Sequence, residues 1–513
     1  MPSSAAPALP FDVAGIHLDG PGSLTRQLVE QLRLRMLQGR LPAGARMPTT
    51  RELAAALGLS RNTVVRAYEH LLDEGLIRSR VGDGSYVTPP LAQVPHAGLP
   101  PAMAARPHRP SLAQAGAEPK PAPDTPRWQG LQLFTPSRTP AGPTRAFRWG
   151  SPAMDLFPAA LWSRLQAQAW RRHDTSSLAY GDPAGLPALR EWLADYLRGA
   201  RGLACSAEQI LITGGAQQGI ALAALALLAP GDEAAVESPG YRSAAAALRL
   251  CAERVHQVPV DHEGLRPAAL QALSRRCRLL YVTPSHQFPT GVVMSLQRRM
   301  DLLDWARRQG AWILEDDYDS EYRHVGLPLA PLASLDTAGR TLYVGSLSKL
   351  MFPGLRLGYL VAPPGWLPTL ARLRAVLDRH SACMDQQVMA DFIAQGHFLR
   401  HVRRMRRAAR ERRDAMLDAW AHHIEPLGLP LPAPEAGLHA YLPLPDARLE
   451  HRLTEAAVAA QLEVGAMRRV GGLPEASGRA GLVLGFAAVP PQELKVAVRR
   501  LAQVWGAPLK AAR

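Results

Sequence analysis

The sequence predicts two folded units of different class: a small helical module closed by a β-hairpin (α+β), then a much larger α/β domain on a mainly parallel sheet. Three observations carry this. Residues 24–87 hold three helical stretches with apolar residues at helical spacing, followed by two short strand-like runs around Gly82-Asp83-Gly84. From about Phe147 onward, short β-like runs alternate with amphipathic stretches, as expected for strands joined through helices and covered on both faces. Between the two, Pro89 to about Arg145 is loaded with Pro and Ala. It lacks the apolar surface to fold alone and reads as a semi-extended linker. The expected organisation is a tail over 1–20, the module over 21–88, the linker over 89–145 and the large domain over 146–513.

Bulk properties agree. A chain of 513 residues is too long for one core. With 47% hydrophobic and 20% charged residues it has the composition of a globular protein. The formal charge of +15 favours anionic partners, nucleic acid first among them. The four cysteines, Cys205, Cys251, Cys277 and Cys383, form no C-x-x-C pair, which argues against a zinc cage or dithiol site, and no metal is expected. Their scarcity suits a reducing cytoplasm. The first ten residues do not read as a signal peptide. Ile220–Leu228 is the sort of apolar run that is too short to cross a bilayer, so no membrane partner is expected.

In the N-terminal module, Leu24, Leu28, Leu32 and Met36 repeat at helical spacing and mark a first helix. A second begins near Thr49/Thr50 and carries Leu53, Ala54 and Leu57. Gly58 permits a tight turn, and Leu59 closes the core. Ser60 is placed to cap a third helix with Val64, Val65, Tyr68, Leu71 and Leu72 inward. Helix, glycine turn, helix is the helix-turn-helix pattern. Arg61, Asn62 and Thr63 occupy the first turn of the third helix, with types able to reach base edges or phosphates. Leu76–Arg78 and Ser85–Val87 then form a hairpin, a wing with a glycine tip, where Arg78 and Arg80 add backbone-directed charge. Residues 24–87 resemble the GntR family of winged-helix regulators, through "LPAGARMPTTRELAAALGLSRNTVVRAYEHLLDEGLI" and "RSRVGDGSYV". The resemblance implies binding to double-stranded operator DNA, with Arg51, Arg61 and Thr63 in contact and Gly84 at the wing tip; Ser60 and Asn62 lie beside them. Arg66 is equally readable as part of a solvated helix face.

In the large domain, strand-like runs recur at Ile210–Thr213, Ala234–Glu237, Leu279–Thr283, Trp312–Glu315, Leu342–Gly345 and Leu357–Val361. Ligands of such sheets bind at the carboxyl ends of the strands, and four informative strings lie there. In "YVGSLSKLMFPGLRLGYLV", Lys349 follows an apolar strand. It is framed by Ser346, Ser348 and Arg356, donors suited to a phosphate beside an imine-forming amine. "WILEDDYDSEYR" closes a strand with several carboxylates, which suit a metal, a solvated acidic turn, or a partner for a pyridinium nitrogen. "LITGGAQQGI" is a strand, a Gly turn and a helix start, a natural phosphate cup at Ala216 and Gln217. "ESPGYRS" places Tyr241 where an aromatic can stack on a ring.

In this order the four strings resemble fold-type I aminotransferases. The whole chain is similar to the MocR/GabR-type regulators, which join a GntR-like winged helix to an aminotransferase-like domain. The resemblance implies pyridoxal 5′-phosphate (PLP) as cofactor, held as an internal aldimine on Lys349, with a smaller C-terminal α+β subdomain from about residue 385. Asp316 would then pair with the pyridinium nitrogen, Tyr318 would contact the 3′-oxygen, and Tyr241 would stack on the ring. Ala216, Gln217, Ser346, Ser348 and Arg356 would hold the phosphate. Tyr180, in "LAYGDPAGLPALREWLADYLRGARG", would reach the phosphate of a neighbouring subunit, which implies a domain-swapped, head-to-tail homodimer. The expected function is PLP-dependent transcription regulation that senses PLP or an amino-acid-like effector. A catalytically active aminotransferase with an appended DNA-binding domain is the alternative.

Two positions depart from the enzymes. Their Asn-Pro-x-Gly turn reads "SHQFPTG" here, so Phe288 replaces an asparagine that contacts the ring oxygen. Its neighbours His286 and Gln287 could compensate, and neither is assigned that role. In "AGLVLGFAAV", Val483 stands where an arginine binds the substrate carboxylate; Arg479, Arg468 and Arg469 are nearby in sequence. Both changes lean away from a dedicated enzyme and toward a sensor, which is compatible with residual transamination.

Overall fold

The computed structural model describes residues 16–19, 22–80, 83–88, 144–172, 178–326, 330–472 and 479–510. The expected tail and linker, and Gly82 of the wing, lie almost wholly outside them. The chain separates into two compact units, Met1–Lys120 and Pro121–Arg513.

The first unit contains α1 (Leu24–Leu37), α2 (Thr50–Leu57), α3 (Arg61–Asp73), β1 (Ile77–Arg80) and β2 (Gly84–Val87). Leu28, Leu32, Leu53, Val64, Ala67 and Leu71 are fully buried together, each large side chain contributing about 1.5–3 kcal/mol relative to exposure. Two expected core positions are corrected. Leu24 is 46% and Leu72 43% exposed. A helix turns about 100° per residue, so Leu71 and Leu72 cannot both face α1, and the buried stripe of α1 starts only at Leu28. Leu59 is half-buried against the core, and Val65 is half-buried.

Side chains set the helix ends. Thr49 and Glu52 form a reciprocal capping box at α2, with Glu52 N–H donating to Thr49 Oγ1 at 3.2 Å and Thr49 N–H to Glu52 Oε2 at 2.8 Å. Gly58 ends α2 at φ +63°, the left-handed conformation that a side chain would strain. The hairpin pairs Ile77 with Val87 through Arg80 with Gly84. The segment at 44–47 forms a third edge that the sequence did not reveal. Met47 N–H donates to Ser85 O at 2.8 Å, and Val87 N–H to Ala45 O at 2.9 Å.

The second unit is built on an eight-stranded sheet of order β3-β10-β9-β8-β7-β4-β5-β6. The strands are β3 (Ile210–Thr213), β4 (Glu233–Ser238), β5 (Arg254–Asp261), β6 (Gly264–Leu265), β7 (Cys277–Val282), β8 (Trp312–Asp317), β9 (Thr341–Ser346) and β10 (Gly358–Val361). The central pairs β5/β4, β4/β7, β7/β8 and β8/β9 are parallel. β10 runs antiparallel to both β9 and β3, so β3 regains the common direction. The carboxyl ends of β3, β4, β7, β8 and β9 therefore open on one edge. Both faces are buried, which is why β3, β4 and β7 read as continuous apolar runs.

A smaller antiparallel sheet, of order β11-β13-β12, is formed by β11 (His439–Leu444), β12 (Gly465–Ala466) and β13 (Ala480–Gly485). Long helices at His397–His423 and Pro491–Lys510 pack beside it through Trp420 and Trp505, whose rings meet edge-on at 5.9 Å. Both indole N–H groups find carbonyls, Leu429 O at 2.8 Å and Leu453 O at 2.9 Å.

Candidate functional site

Strand alternation sorts the carboxylates that the sequence left undivided. Glu315 and Asp317 share one face of β8; both oxygens of Glu315 and the Oδ2 of Asp317 are occupied, while Asp317 Oδ1 is buried without a partner. Glu315 accepts Leu332 N–H at 3.0 Å and Ala333 N–H at 2.9 Å. Asp317 accepts Arg201 Nη2 and the Tyr343 hydroxyl, each at 2.5 Å. Asp316 points to the other face. Its Oδ2 accepts the Tyr281 hydroxyl at 2.7 Å, and its Oδ1 is buried with no partner. Burial pushes the Asp316 carboxyl up to about 7, against the Tyr281 hydrogen bond, which lowers it. A buried acid with one free oxygen is a socket for a cation or for a protonated ring nitrogen.

Lys349 follows β9, and its Nζ donates to Gly150 O at 2.6 Å. Burial lowers its ammonium below the ordinary lysine range, while Asp319 and Asp316 oppose that shift. A lysine eased toward the neutral amine is the nucleophile that imine formation needs. Gly150 lies at φ +70°, and a Cβ there would stand 3.0 Å from Nζ, so the amine is held where only glycine gives it room.

The cup before Ala216 is also formed. Gly215 has φ +95°, and the helix starting at Ala216 (Ala216–Leu227) leaves its first N–H groups without helical acceptors. The Arg356 guanidinium lies 3.1–3.3 Å from where a Gly215 Cβ would be, so cup and arginine adjoin. Ser346 is half-buried. The buried Ser348 hydroxyl makes only a long 3.5 Å bond to Leu357 O. The Gln217 side chain turns aside to Ser243 O at 2.9 Å, leaving its backbone as the part that faces the cup. Tyr180 is 80% exposed with the Arg379 guanidinium 5.1 Å over its ring.

Phe288 and Val483 sit in one buried apolar group with Val470, against Trp149, Tyr241 and Tyr318. The Tyr241 and Phe288 rings meet edge-on at 5.8 Å. Of the sequence neighbours raised as substitutes, Gln287 is spent elsewhere, donating to Pro239 O at 2.8 Å and to the buried Glu237. His286 instead reaches Tyr318, with 2.9 Å between its Nδ1 and the tyrosine hydroxyl. Arg479 and Arg469 are exposed and Arg468 half-buried. Gly150 and Tyr281 were not foreseen as site residues, and His286 was weighed without being assigned. Gly150 and Tyr281 carry no motif, and only the fold brings them to Lys349 and Asp316.

The donor set fits PLP: an inward amine, an unpartnered buried carboxylate, and a glycine-lined helix start beside a guanidinium. A stability test of the carboxylate follows. The unfolded Asp316 titrates near 3.8, the folded one near 7. Between those values the native state binds more protons, so the contribution is fully present below about pH 4 and lost as pH rises through 7. Cofactor-free protein is expected to melt lower at alkaline than at acidic pH. Asp316→Asn is expected to flatten that slope by up to about 1.4 kcal/mol per pH unit. An unchanged slope in calorimetry at several pH values would refute the buried acid.

On the first unit, Arg51, Arg61, Asn62 and Arg66 are exposed. Ser60 and the half-buried Thr63 are engaged with each other. Ser60 Oγ accepts Thr63 N–H at 3.2 Å and lies 2.8 Å from Thr63 Oγ1. Ser60 thus serves first as the cap that fixes the turn. Gly84 opens β2 at φ +113°, with Arg46 Nε 3.3 Å from where its Cβ would be. Arg46 joins the wing through an isolated bridge to Tyr86, a place that its sequence position in "PAGARMP" did not disclose.

A capped recognition turn beside a hairpin wing, and a lysine–carboxylate–glycine site on a parallel sheet, define a DNA-binding regulator fused to an aminotransferase-like domain. Residues 24–87 match the family described as bacterial regulatory proteins, gntR family. Residues 152–501 match aminotransferase class I and II. The chain belongs to the MocR-type regulators, in which these two domains are joined. It is 33% identical over 486 residues, 94% of each chain, to the "Probable rhizopine catabolism regulatory protein MocR" of Rhizobium meliloti. It is 37% identical to the transcriptional regulator TauR of Rhodobacter capsulatus, covering 80% of this chain and 82% of that one. It is 32% identical to the pyridoxine biosynthesis regulator PdxR of Corynebacterium glutamicum, covering 82% and 83%. Among solved structures, the α-aminoadipate aminotransferase LysN of Thermus thermophilus aligns at TM-score 0.64 and 28% identity, over 72% of this chain and 93% of that one. The multiple substrate aminotransferase of Thermococcus profundus aligns at TM-score 0.66 and 26% identity, over 75% and 98%. The aminotransferase fold implies PLP, and the GntR domain implies DNA. Among the described residues no helix is long and apolar enough to cross a membrane.

Proposed function

We propose that this chain is a PLP-dependent transcription regulator of the cytoplasm. It binds operator DNA through the winged helix and senses PLP, or an amino-acid-like effector, at Lys349. The observation that carries the reading is the unpartnered, buried Oδ1 of Asp316 in one site with the inward amine of Lys349. When bound, PLP supplies an aldehyde for an imine and a ring that draws electrons. The chain supplies the rest. Lys349 provides the amine, and Asp316 keeps a proton on the ring nitrogen. Tyr318 faces the 3′-oxygen, and Tyr241 stacks. Ala216, Gln217, Ser346, Ser348 and Arg356 hold the phosphate, joined by the partner subunit's Tyr180 in a head-to-tail homodimer. Arg51, Arg61, Asn62 and Thr63 meet DNA, Ser60 caps their turn, and Gly84 shapes the wing. A regulatory role accords with Phe288 and Val483, which make apolar the places where an aminotransferase contacts the cofactor's ring oxygen and the substrate carboxylate. LysN was solved with a phosphopyridoxyl–leucine adduct, which supports an effector of amino-acid size in this fold.

The reading is tested by gel shift on the DNA upstream of the chain's own gene, with and without PLP and then with candidate amines. A ligand shifts the DNA equilibrium only through its different affinity for the two states. PLP is expected to change the midpoint for the native protein and not for Lys349→Ala. Identical midpoints in all four mixtures would refute cofactor sensing.

A further inference from the structure

We propose that Asp319 and His286 fix the hydroxyl proton of Tyr318, so that Tyr318 donates to the cofactor 3′-oxygen in a site whose turn has Phe288 in place of a donor. The inference rests on the PLP reading above and assigns His286 a positioning role within it.

The geometry is a three-way contact on one nitrogen. His286 Nδ1 lies 3.1 Å from both Asp319 oxygens and 2.9 Å from the Tyr318 hydroxyl oxygen. His286 and Asp319 are 2% and 1% exposed, so water does not substitute for the bonds between them. A carboxylate only accepts. Nδ1 therefore carries the hydrogen and shares it between Asp319 and the tyrosine oxygen. With its oxygen accepting, Tyr318 keeps its own hydrogen for another acceptor. Were Nδ1 bare, its lone pair would face the carboxylate, and the tyrosine hydrogen would be spent on it. The carboxylate beside the ring thus sets the tautomer.

The surroundings hold this arrangement. Gly437 packs so close that a Cβ there would meet the His286 ring at 2.0–2.3 Å and Asp319 Oδ2 at 2.7 Å. Gly291 borders the opposite nitrogen, where a Cβ would lie 3.2 Å from Nε2. His439, 4.9 Å away between ring centroids, donates from Nε2 to Pro289 O at 3.1 Å. Burial takes it down to about 3, so it adds no charge. The other ionisable groups acting on the site include Asp316, Asp317, Glu237, Lys349 and His324. Phe288 has no donor, and the amide of Gln287 is already engaged, so Tyr318 is the side chain on this edge with a hydrogen to give.

A donor to the 3′-oxygen stabilises its negative charge most once the adjacent imine nitrogen has given up its proton. It therefore lowers the pH at which the band of the lysine-bound cofactor converts. The experiment is a spectroscopic pH titration of full-length protein loaded with PLP. A hydrogen bond to a charged group corresponds to a shift of about one to two pH units. Tyr318→Phe is expected to raise the midpoint by at least about one unit. His286→Leu should raise it in the same sense by a smaller amount. His286→Asn, whose amide nitrogen can stand near the position of Nδ1, should return it toward the native value. Combining His286→Leu with Tyr318→Phe should give no more than Tyr318→Phe alone, since one interaction cannot be removed twice. If leucine above buried Asp319 prevents folding, His286→Gln keeps a polar side chain but carries its amide at the ε position, away from Asp319 and Tyr318, and the same rise is expected. A native midpoint in folded His286→Leu or His286→Gln, or a His286→Leu shift that adds in full to that of Tyr318→Phe, overturns the relay and leaves the PLP reading standing. A native protein that takes up no chromophore overturns both.

Discussion

Lys349→Ala is expected to abolish the visible band that appears when the native protein is incubated with PLP. The effect should be all or none, for a reason peculiar to this composition. The chain has only four lysines, at 120, 349, 495 and 510, its basic character resting almost wholly on arginine. Lys495 and Lys510 are exposed on the last helix, where water hydrolyses an imine freely. Lys349 alone among the described lysines has burial to ease its deprotonation and a glycine carbonyl to aim its nitrogen. The ammonium of Lys349 is penalised by burial more than Asp319 and Asp316 favour it, so removing it should leave the cofactor-free variant folded. The measurement is absorbance after incubation and gel filtration. A band of native intensity in the alanine variant would show that the aldehyde is captured elsewhere and would remove the basis of the cofactor site.

The second large effect falls on DNA. Arg51→Ala and Arg61→Ala together are expected to weaken operator binding by about one to three orders of magnitude, at about 1–3 kcal/mol for a base-reading arginine and less for one that touches phosphate. Removing an arginine that neutralises a phosphate should also reduce the slope of log affinity against log salt by about one. Neither side chain is buried or tied into a structural bond, so the module should melt as before. Ser60→Ala differs in kind. It removes the cap of α3, costs about 1 kcal/mol in stability and weakens binding only through a looser turn. Fluorescence anisotropy on labelled operator across a salt series separates the two. Native affinity and salt slope in the double arginine variant would move the DNA-reading face away from α3.

The N-terminal module was legible because its determinants are local. Caps at Thr49 and Ser60, the turn at Gly58 and the spacing of Leu53, Val64 and Leu71 each act within a few residues. The errors there, Leu24 and Leu72, come at the margin of a stripe, where the neighbouring helix decides which of two adjacent leucines is covered. The third edge at 44–47 escaped because a segment that pairs once, with a strand forty residues later, has no period of its own.

The large domain divides in the same way. Sequence by itself determined the alternating architecture, the lysine after an apolar strand, the glycine turn into a helix, and the run of carboxylates. These follow from backbone preference and burial acting along the chain. Tertiary structure alone decided which carboxylate lies on the face of the amine. Three adjacent acids look alike as letters, but the pleat sends 315 and 317 to partners on one face and leaves 316 facing the amine. It likewise decided that His286 serves Tyr318 while Gln287 is consumed by Pro239 and Glu237, and that Gly150 receives Lys349 from 199 residues away. Hydrogen bonds are satisfied in space, not in order along the chain. A side chain's chemistry is therefore written in the sequence, whereas its availability depends on which neighbours the fold has already given it.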